Sequence, residues 1–112
     1  MTFPDDQIEE LKKVYSGVQI AEEGGTNFFL LPNLEMPDGC VPNTTDALFC
    51  PTMRDGYQSR LFLSEKLSGC PPRNWNGQAR ILDRTWFAIS WNINQEQRLI
   101  QLIRSHIDAF RI

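Results

Sequence analysis

The sequence predicts an α+β fold in which a helix at each end of the chain flanks an antiparallel sheet. Two amphipathic segments, one near each end, carry apolar residues at helical spacing. Between them, short alternating or β-rich segments are separated by glycines and prolines, which is typical of strands joined by turns. We therefore predict an N-terminal helix, a four-stranded antiparallel meander, a long loop and a C-terminal helix that crosses the sheet.

The composition fits one domain and excludes several classes of partner. The chain has 112 residues, of which 41% are hydrophobic, so we expect a single domain over residues 1–112. The net charge of −3, without a run of like charges, argues against nucleic-acid binding. The longest apolar run, Phe28–Pro32, is far shorter than the roughly 20 residues of a membrane span. The first residues show no basic or apolar leader, so we expect a cytoplasmic protein without membrane contacts.

The first half of the chain predicts one helix and four strands. Ile8, Leu11, Val14 and Tyr15 recur at helical spacing over residues 4–15. Asp5 and Asp6 suit the positive end of that helix, and Lys12 and Lys13 suit its last turn. Strands are predicted at Val18–Ile20, Thr26–Leu31, Thr44–Cys50 and Ser59–Leu63.

The second half predicts a long loop and the second helix. Residues 64–81 show little periodicity, and loops of that length in a small domain are often functional. Thr85–Trp91 is apolar and fits a short strand or a packed segment. Asn94 and Gln97 resemble a capping box ahead of a helix over residues 95–110. Its predicted apolar face consists of Leu99, Leu102, Ile103, Ile107 and Phe110.

The cysteines and the single histidine do not predict a metal site or a disulfide framework. Cys40, Cys50 and Cys70 form no C-x-x-C pair, and His106 lies far downstream. We expect Cys50, at the end of an apolar strand, to be a core thiol, and Cys40 to be structural or incidental. His106 lies at the edge of the helix's apolar face and is expected to be partly buried and hydrogen-bonded.

Several sequence segments, taken in order, resemble segments of a known protein family. They are Phe29–Pro32, Pro37–Gly39, Asp46–Phe49, Leu61–Leu63 ahead of Leu67–Gly69, and Arg84–Asn92, with its W-x-x-x-S motif. Over roughly residues 5–110 the chain resembles the prokaryotic ubiquitin-conjugating-like group called family E. The resemblance implies the ubiquitin-conjugating fold and a place in a bacterial pathway, in some cases antiphage defence, that conjugates a ubiquitin-like protein.

The resemblance also implies the partners and the reaction. The partners are a ubiquitin-like protein and an adenylating, ubiquitin-activating-type enzyme. The conjugating protein accepts the modifier's C-terminus as an ester on a side-chain nucleophile and passes it to an amine. It needs no cofactor, because the activating enzyme consumes the ATP. The His-Pro-Asn of the eukaryotic enzymes is absent, and no cysteine lies between Gly77 and Leu82, where the family pattern has one.

Cys70 is the leading candidate for the nucleophile. It follows Gly69 and precedes two prolines that favour an extended loop, and the positive charge of Arg73 favours a thiolate. Asn74 and Asn76 are candidate donors to an oxyanion. The alternative is an incidental loop cysteine beside two turn-forming asparagines.

Ser68 and Ser90 are the alternative nucleophiles, which would form an oxyester. For the same fold we also consider a catalytically inactive scaffold that binds the ubiquitin-like protein or the activating enzyme.

The first helix is the predicted docking site for the activating enzyme. In the resembled family this helix carries such contacts, and here its outer face is charged, with Asp6, Glu9, Glu10, Lys12 and Lys13. A merely solvated face is the alternative. Trp75, Trp86 and Trp91 either form a partner-docking patch or fill the core.

Overall fold

The described part of the chain forms two helices and six strands. The computed structural model describes residues 4–70, 74–93 and 97–111. Along the chain the elements are α1 (Asp5–Val14), β1 (Gln19–Glu23), β2 (Thr26–Glu35), β3 (Thr44–Cys50), β4 (Arg60–Leu63), β5 (Gly77–Ile81), β6 (Arg84–Ala88) and α2 (Leu99–Asp108). The predicted α+β class is confirmed, with a helix near each end of the chain and an antiparallel meander of four strands after the first helix.

All strand pairs in the single sheet are antiparallel, in the order β1-β2-β3-β4-β6-β5. The first four strands form the predicted meander. The sequence prediction ended β2 at Leu31. The strand instead continues past Pro32 through a register shift between Leu31 and Leu34. At this irregularity Asn33 has a positive φ of 52°, and its backbone N–H donates to Oδ1 of Asp46 at 3.0 Å.

The prediction of four strands is wrong, because β5 and β6 form an additional hairpin. β5 lies in the predicted loop, and β6 lies in the apolar segment that fitted either a strand or a packed segment. Leu82 and Asp83, the two turn residues, have φ values of 53° and 60°. Such a turn normally carries Asn-Gly or Asp-Gly, so a Leu-Asp turn gives no strong sequence signal. Nη2 of Arg80 donates to the Asp83 carbonyl at 3.0 Å.

Both faces of the central strands are buried. The helices cover one face, where side chains such as Phe29, Ala47 and Leu63 pack against α2; we call this the helix-side core. On the opposite face, Phe28, Leu48, Cys50, Phe62, Ile81, Trp86 and Ala88 form a second core. The two ends of the sheet approach each other there, since Oε1 of Glu23 accepts a hydrogen bond of 3.1 Å from the Leu82 backbone. The sheet is therefore curled around the second core.

Helix α2 packs on the sheet with the predicted apolar face. Leu99, Ile103, Ile107 and Phe110 are buried, and Leu102 is half-buried against the same core. The predicted start is wrong, because Gln97 and Arg98 precede the helix; Asn94 and Gln95 lie outside the described residues.

The N-terminus of α2 is held by α1. The backbone N–H of Leu99 donates to Oε1 of Gln7 at 2.9 Å, so a side chain from another helix caps it. Gln101 also accepts from the Arg98 backbone at 3.1 Å. On α1, Leu11 is buried, whereas Val14, which shares its helical spacing, is 48% exposed.

Candidate functional site

Cys70 lies where the chain leaves β4 and turns along the helix-side core. Before it, Val41 and Ser68 form an isolated antiparallel bridge with reciprocal backbone hydrogen bonds of 2.8 and 2.9 Å. Gly69 follows with a φ of 76°, and a Cβ at this position would collide with the carbonyl oxygen of Gly39. The chain therefore bends tightly at Gly69, and only glycine fits there.

Among the three cysteines, all of which the structure describes, Cys70 is the most accessible. Cys50 is fully buried in the second core, as predicted, and Cys40 is 3% exposed. Cys70 is half-buried and packs against the helix-side core. A reagent or a partner protein can reach this thiol more easily than the other two.

Cys40 is a chemical neighbour of Cys70. Burial raises the pKa of the Cys40 thiol to about 11, and a hydrogen bond with Cys70 and its charge add to the effect. The Cys40 thiol also lies 3.9 Å from the Phe110 carbonyl at the end of α2. Sequence reasoning missed this pair, since no motif joins Cys40 to Cys70 and only the Val41–Ser68 bridge brings them together.

The residues predicted to assist Cys70 have different surroundings. Pro71, Pro72 and Arg73 lie outside the described residues. Asn74 is exposed, and its carbonyl accepts a hydrogen bond of 2.7 Å from the backbone of Ser90. Beside it, Trp75 packs on Phe110, with 5.9 Å between ring centroids.

Asn76 belongs to a hydrogen-bonded cluster at the start of β4. Its Oδ1 accepts from Nη2 of Arg60 at 2.7 Å, and its Nδ2 donates to the hydroxyl of Tyr57 at 2.8 Å. These contacts hold the amide in one orientation. Asn76 is thus fixed by Arg60 and Tyr57, and these hydrogen bonds involve neither Cys40 nor Cys70.

Ser90 is exposed and belongs to the same cluster. Its Oγ lies 2.9 Å from the Tyr57 hydroxyl. Hydrogen bonds with Ser90 and Asn76 lower the pKa of Tyr57, and the charge of Arg60 contributes less. Ser68, the other serine candidate, donates its hydroxyl to the Val41 carbonyl at 3.4 Å. Of the two serines, Ser90 has the environment closer to that of an activated hydroxyl.

Arg60 organises this cluster from the interior and was not identified from the sequence. Its side chain is 2% exposed and contacts Oδ2 of Asp55 at 3.1 Å and the carbonyl of Ile89 at 3.1 Å. The guanidinium also lies 4.3 Å from the ring centroid of Tyr57. A Cβ on Gly77 would come within 3.0 Å of this guanidinium, so the glycine makes room for it. The sequence feature that could have identified Arg60 is a charged residue inside an apolar strand.

His106 is a structural residue, as predicted, and is more deeply buried than expected. It is 4% exposed, and its Nε2 lies 2.9 Å from Oγ of Ser59. Burial lowers the pKa of His106 to about 4, and the charge of Arg60 contributes. The ring packs edge-on against Phe49 at 5.9 Å. The imidazole is therefore neutral at pH 7.

The predicted docking face on α1 is partly occupied. Arg98 binds Oδ2 of Asp6 at 2.9 Å and Oε1 of Glu10 at 3.2 Å, so these carboxylates join α1 to the start of α2. The hydrogen bond from Arg98 lowers the pKa of Asp6. Lys12 pairs with Glu9 at 3.7 Å on the exposed surface, and Lys13 is exposed beside them.

The three tryptophans do not share one surface patch. Trp86 is fully buried in the second core, where its Nε1 donates to the Ile81 carbonyl at 3.0 Å. Trp75 and Trp91 are half-buried at the helix-side core. A docking patch of all three is wrong, since Trp86 fills the core.

Two further properties concern ions and membranes. Within residues 4–70, 74–93 and 97–111, no group of three or more His, Cys, Asp or Glu side chains is placed to hold a metal ion. In the same residues, no helix has the length and apolar character that crossing a membrane requires.

Comparison of the chain with protein-family models, with curated proteins and with solved structures finds no match.

Proposed function

We propose that this protein is a ubiquitin-conjugating-like transfer enzyme that carries a ubiquitin-like modifier on Cys70. The observation that carries the proposal is the position of Cys70. It is the accessible thiol of the chain, and it follows the bend at Gly69 directly after the four-stranded meander. The order of α1, four strands, loop and crossing helix supports a ubiquitin-conjugating-like fold to which the β5–β6 hairpin is an addition.

The proposed reaction is an exchange of thioesters followed by aminolysis. The sulfur of Cys70 attacks the carbonyl of the modifier held as a thioester on the activating enzyme, and that enzyme's thiolate leaves with the proton lost by Cys70. An amine of the target then attacks the new thioester. The Cys70 thiolate leaves, and the amine's proton is released. No redox change or cofactor is involved.

Asn76 and Asn74 are the proposed amide donors to the tetrahedral oxyanion. The Asn76 Nδ2 carries two N–H groups, and Tyr57 takes one of them. Arg60 accounts for the orientation, because its hydrogen bond to Oδ1 leaves the Nδ2 side of the amide facing Tyr57 and the exposed surface. In this proposal Arg60 and Tyr57 are positioning residues.

A catalytically inactive scaffold of the same fold is the second candidate. The observation that favours the scaffold is the hydrogen-bond network around Asn76, because its Oδ1 and its Nδ2 both already form hydrogen bonds within the domain. In that case the protein binds the ubiquitin-like protein or the activating enzyme without accepting the modifier.

A loading assay distinguishes these functions. The full chain is incubated with an adenylating, ubiquitin-activating-type enzyme, the ubiquitin-like protein that this enzyme activates, and ATP, and the products are separated without reductant. We expect an adduct that thiol reductant cleaves and that Cys70→Ala abolishes. Cys50→Ser is the matched control, because its sulfur is fully buried on the other face of the sheet.

Two other outcomes of this assay would change the assigned nucleophile or the assigned function. An adduct that persists in Cys70→Ala and resists reductant would place the ester on a hydroxyl, with Ser90→Ala and Ser68→Ala as the next variants. A protein that binds both partners and never forms an adduct would be the scaffold.

A further inference from the structure

Two separate observations place Cys40 and Cys70 together. The bridge between Val41 and Ser68 sets the residues before Val41 opposite those after Ser68, as in any antiparallel pair. The near contact of Gly69 with the Gly39 carbonyl shows that the two backbones also approach closely at these positions. Cys40 lies in the helix-side core, and Cys70 packs against that same core.

The two thiols differ in exposure. Cys70 reaches the surface, whereas Cys40 is 3% exposed and lies behind it, in the helix-side core. An oxidant therefore meets Cys70 first. Cys50 lies in the second core, on the opposite face of the sheet, where its thiol contacts the Thr52 carbonyl at 3.4 Å. It has no part in the pair.

We propose that Cys40 and Cys70 form a site of oxidative modification, in which a peroxide or a small disulfide converts the two thiols into an intramolecular disulfide. The bond would join the segment before β3 to the segment after β4. This inference is independent of the proposed transfer activity. If Cys70 does carry the modifier, the same bond occupies its sulfur and prevents loading reversibly.

The reaction with hydrogen peroxide proceeds in two balanced steps. The Cys70 sulfur attacks one peroxide oxygen and the O–O bond breaks. The departing hydroxide takes up the proton lost by the Cys70 thiol, so a sulfenic acid and water result. The Cys40 sulfur then attacks the Cys70 sulfur, an S–S bond forms, and the sulfenic oxygen leaves as water. Two thiols and one peroxide thus give one disulfide and two waters. The difference in exposure assigns Cys40 the second step, because the half-buried Cys70 meets the oxidant before the buried Cys40 does.

Thiol counting on the full-length protein tests this inference. The reduced protein is treated with a slight excess of hydrogen peroxide or of glutathione disulfide, denatured and alkylated with a maleimide, and its intact mass is measured. We expect one maleimide adduct in place of three, a mass lower by two hydrogen atoms before alkylation, and a peptide crosslink between Cys40 and Cys70. Reductant should restore three adducts.

Two variants and the alternative products make the result decisive. Cys50→Ser should form the same disulfide, and circular dichroism confirms that each variant is folded. Cys40→Ser should leave Cys70 as a sulfenic acid or a glutathione mixed disulfide. A wild-type protein that accumulates such a Cys70 adduct, links Cys50, or dimerises through Cys70 would overturn the proposal. Because the assay contains no activating enzyme, its outcome does not depend on whether the chain transfers a modifier.

Discussion

The buried guanidinium of Arg60 donates a 2.7 Å hydrogen bond to the side-chain oxygen of Asn76, and this contact decides which amide atom the asparagine turns toward Tyr57. The buried charge of Arg60 thereby orients the side-chain amide of the exposed Asn76. The cost of burying Arg60 is offset by its contacts with Asp55 and with the Ile89 carbonyl.

Replacing Arg60 should destabilise the protein and release Asn76. Arg60→Met keeps an unbranched apolar side chain but leaves the Ile89 carbonyl and Asn76 without their donor. We expect a loss of about 2–3 kcal/mol in the free energy of unfolding, measured by urea denaturation. Lys13→Met, on the exposed end of α1, is the control and should cost little. Equal midpoints for the two variants would show that Arg60 has no organising role.

Stability should fall as the pH falls from about 6.5 to about 4, because of His106. Its pKa is lowered to about 4 in the folded protein, against 6.5 for the ordinary group. The unfolded chain therefore binds a proton in this window that the folded chain does not, so unfolding is favoured as the pH decreases. The difference corresponds to about 3 kcal/mol at most.

Denaturation series of the wild type and His106→Gln between pH 7 and pH 4 measure this contribution. Glutamine keeps an amide for Ser59 but does not titrate. The wild type should lose more stability across the window than the variant, since carboxylates titrate in both. Parallel curves would contradict the assignment.

The two tyrosines of the chain should titrate separately. Burial raises the pKa of Tyr15, whereas hydrogen bonds with Ser90 and Asn76 lower that of Tyr57. Ultraviolet absorbance should show one phenol ionising below and one above pH 10. Tyr57→Phe should remove the earlier transition, and Ser90→Ala should shift it to higher pH. A single transition at the ordinary value would contradict the hydrogen bonding described at Tyr57.

Reversing the charges of Lys12 and Lys13 should weaken binding of the activating enzyme. Both lysines are exposed, and neither joins the two helices, unlike Asp6 and Glu10. The Lys12→Glu, Lys13→Glu double variant should bind about tenfold more weakly in a titration at low salt, with an unchanged thermal midpoint. Lys66→Glu, a single reversal close to Phe87 of β6, is the control. Unchanged affinity would show that this part of α1 is a solvated surface that does not contribute to binding of the activating enzyme.

The turn of the β5–β6 hairpin should tolerate glycine and reject a β-branched residue. Asp83 has a φ of 60°, which glycine adopts freely and valine does not. Asp83→Val should lower the free energy of unfolding by about 1–2 kcal/mol in urea denaturation, while Asp83→Gly should leave it near the wild-type value. A Val variant as stable as the Gly variant would contradict this conformation.

The meander was predictable because its information is local. The strands from Thr26 to Leu63 combine β-rich segments with Gly and Pro punctuation, and their short connections require antiparallel neighbours. Phe28–Leu31 is a continuous apolar run rather than an alternating one, which fits a strand buried on both faces. A second core is consistent with this pattern, although the sequence alone did not identify which side chains pack on the second face of the strand.

The parts that were missed depend on the folded chain. The β5–β6 turn has a positive φ at two residues that rarely adopt it, and the first turn of α2 is capped by Gln7 from another helix. Likewise, the Cys40–Cys70 pair exists because two connections meet at the Val41–Ser68 bridge. None of these relationships has a sequence spacing from which it could be read.

The second core determines where this domain can evolve new contacts. With Leu48 and Phe49 on adjacent positions of β3 both fully enclosed, a substitution on either side of that strand changes packing and not recognition. Variation that preserves the fold is concentrated at the edge strands β1 and β5, at strand ends and connections, and on the outer surfaces of the helices. Cys70, Tyr57 and Ser90 lie in such connections, so their chemistry can change while the interior, with the buried Cys40 and Arg60, remains as it is.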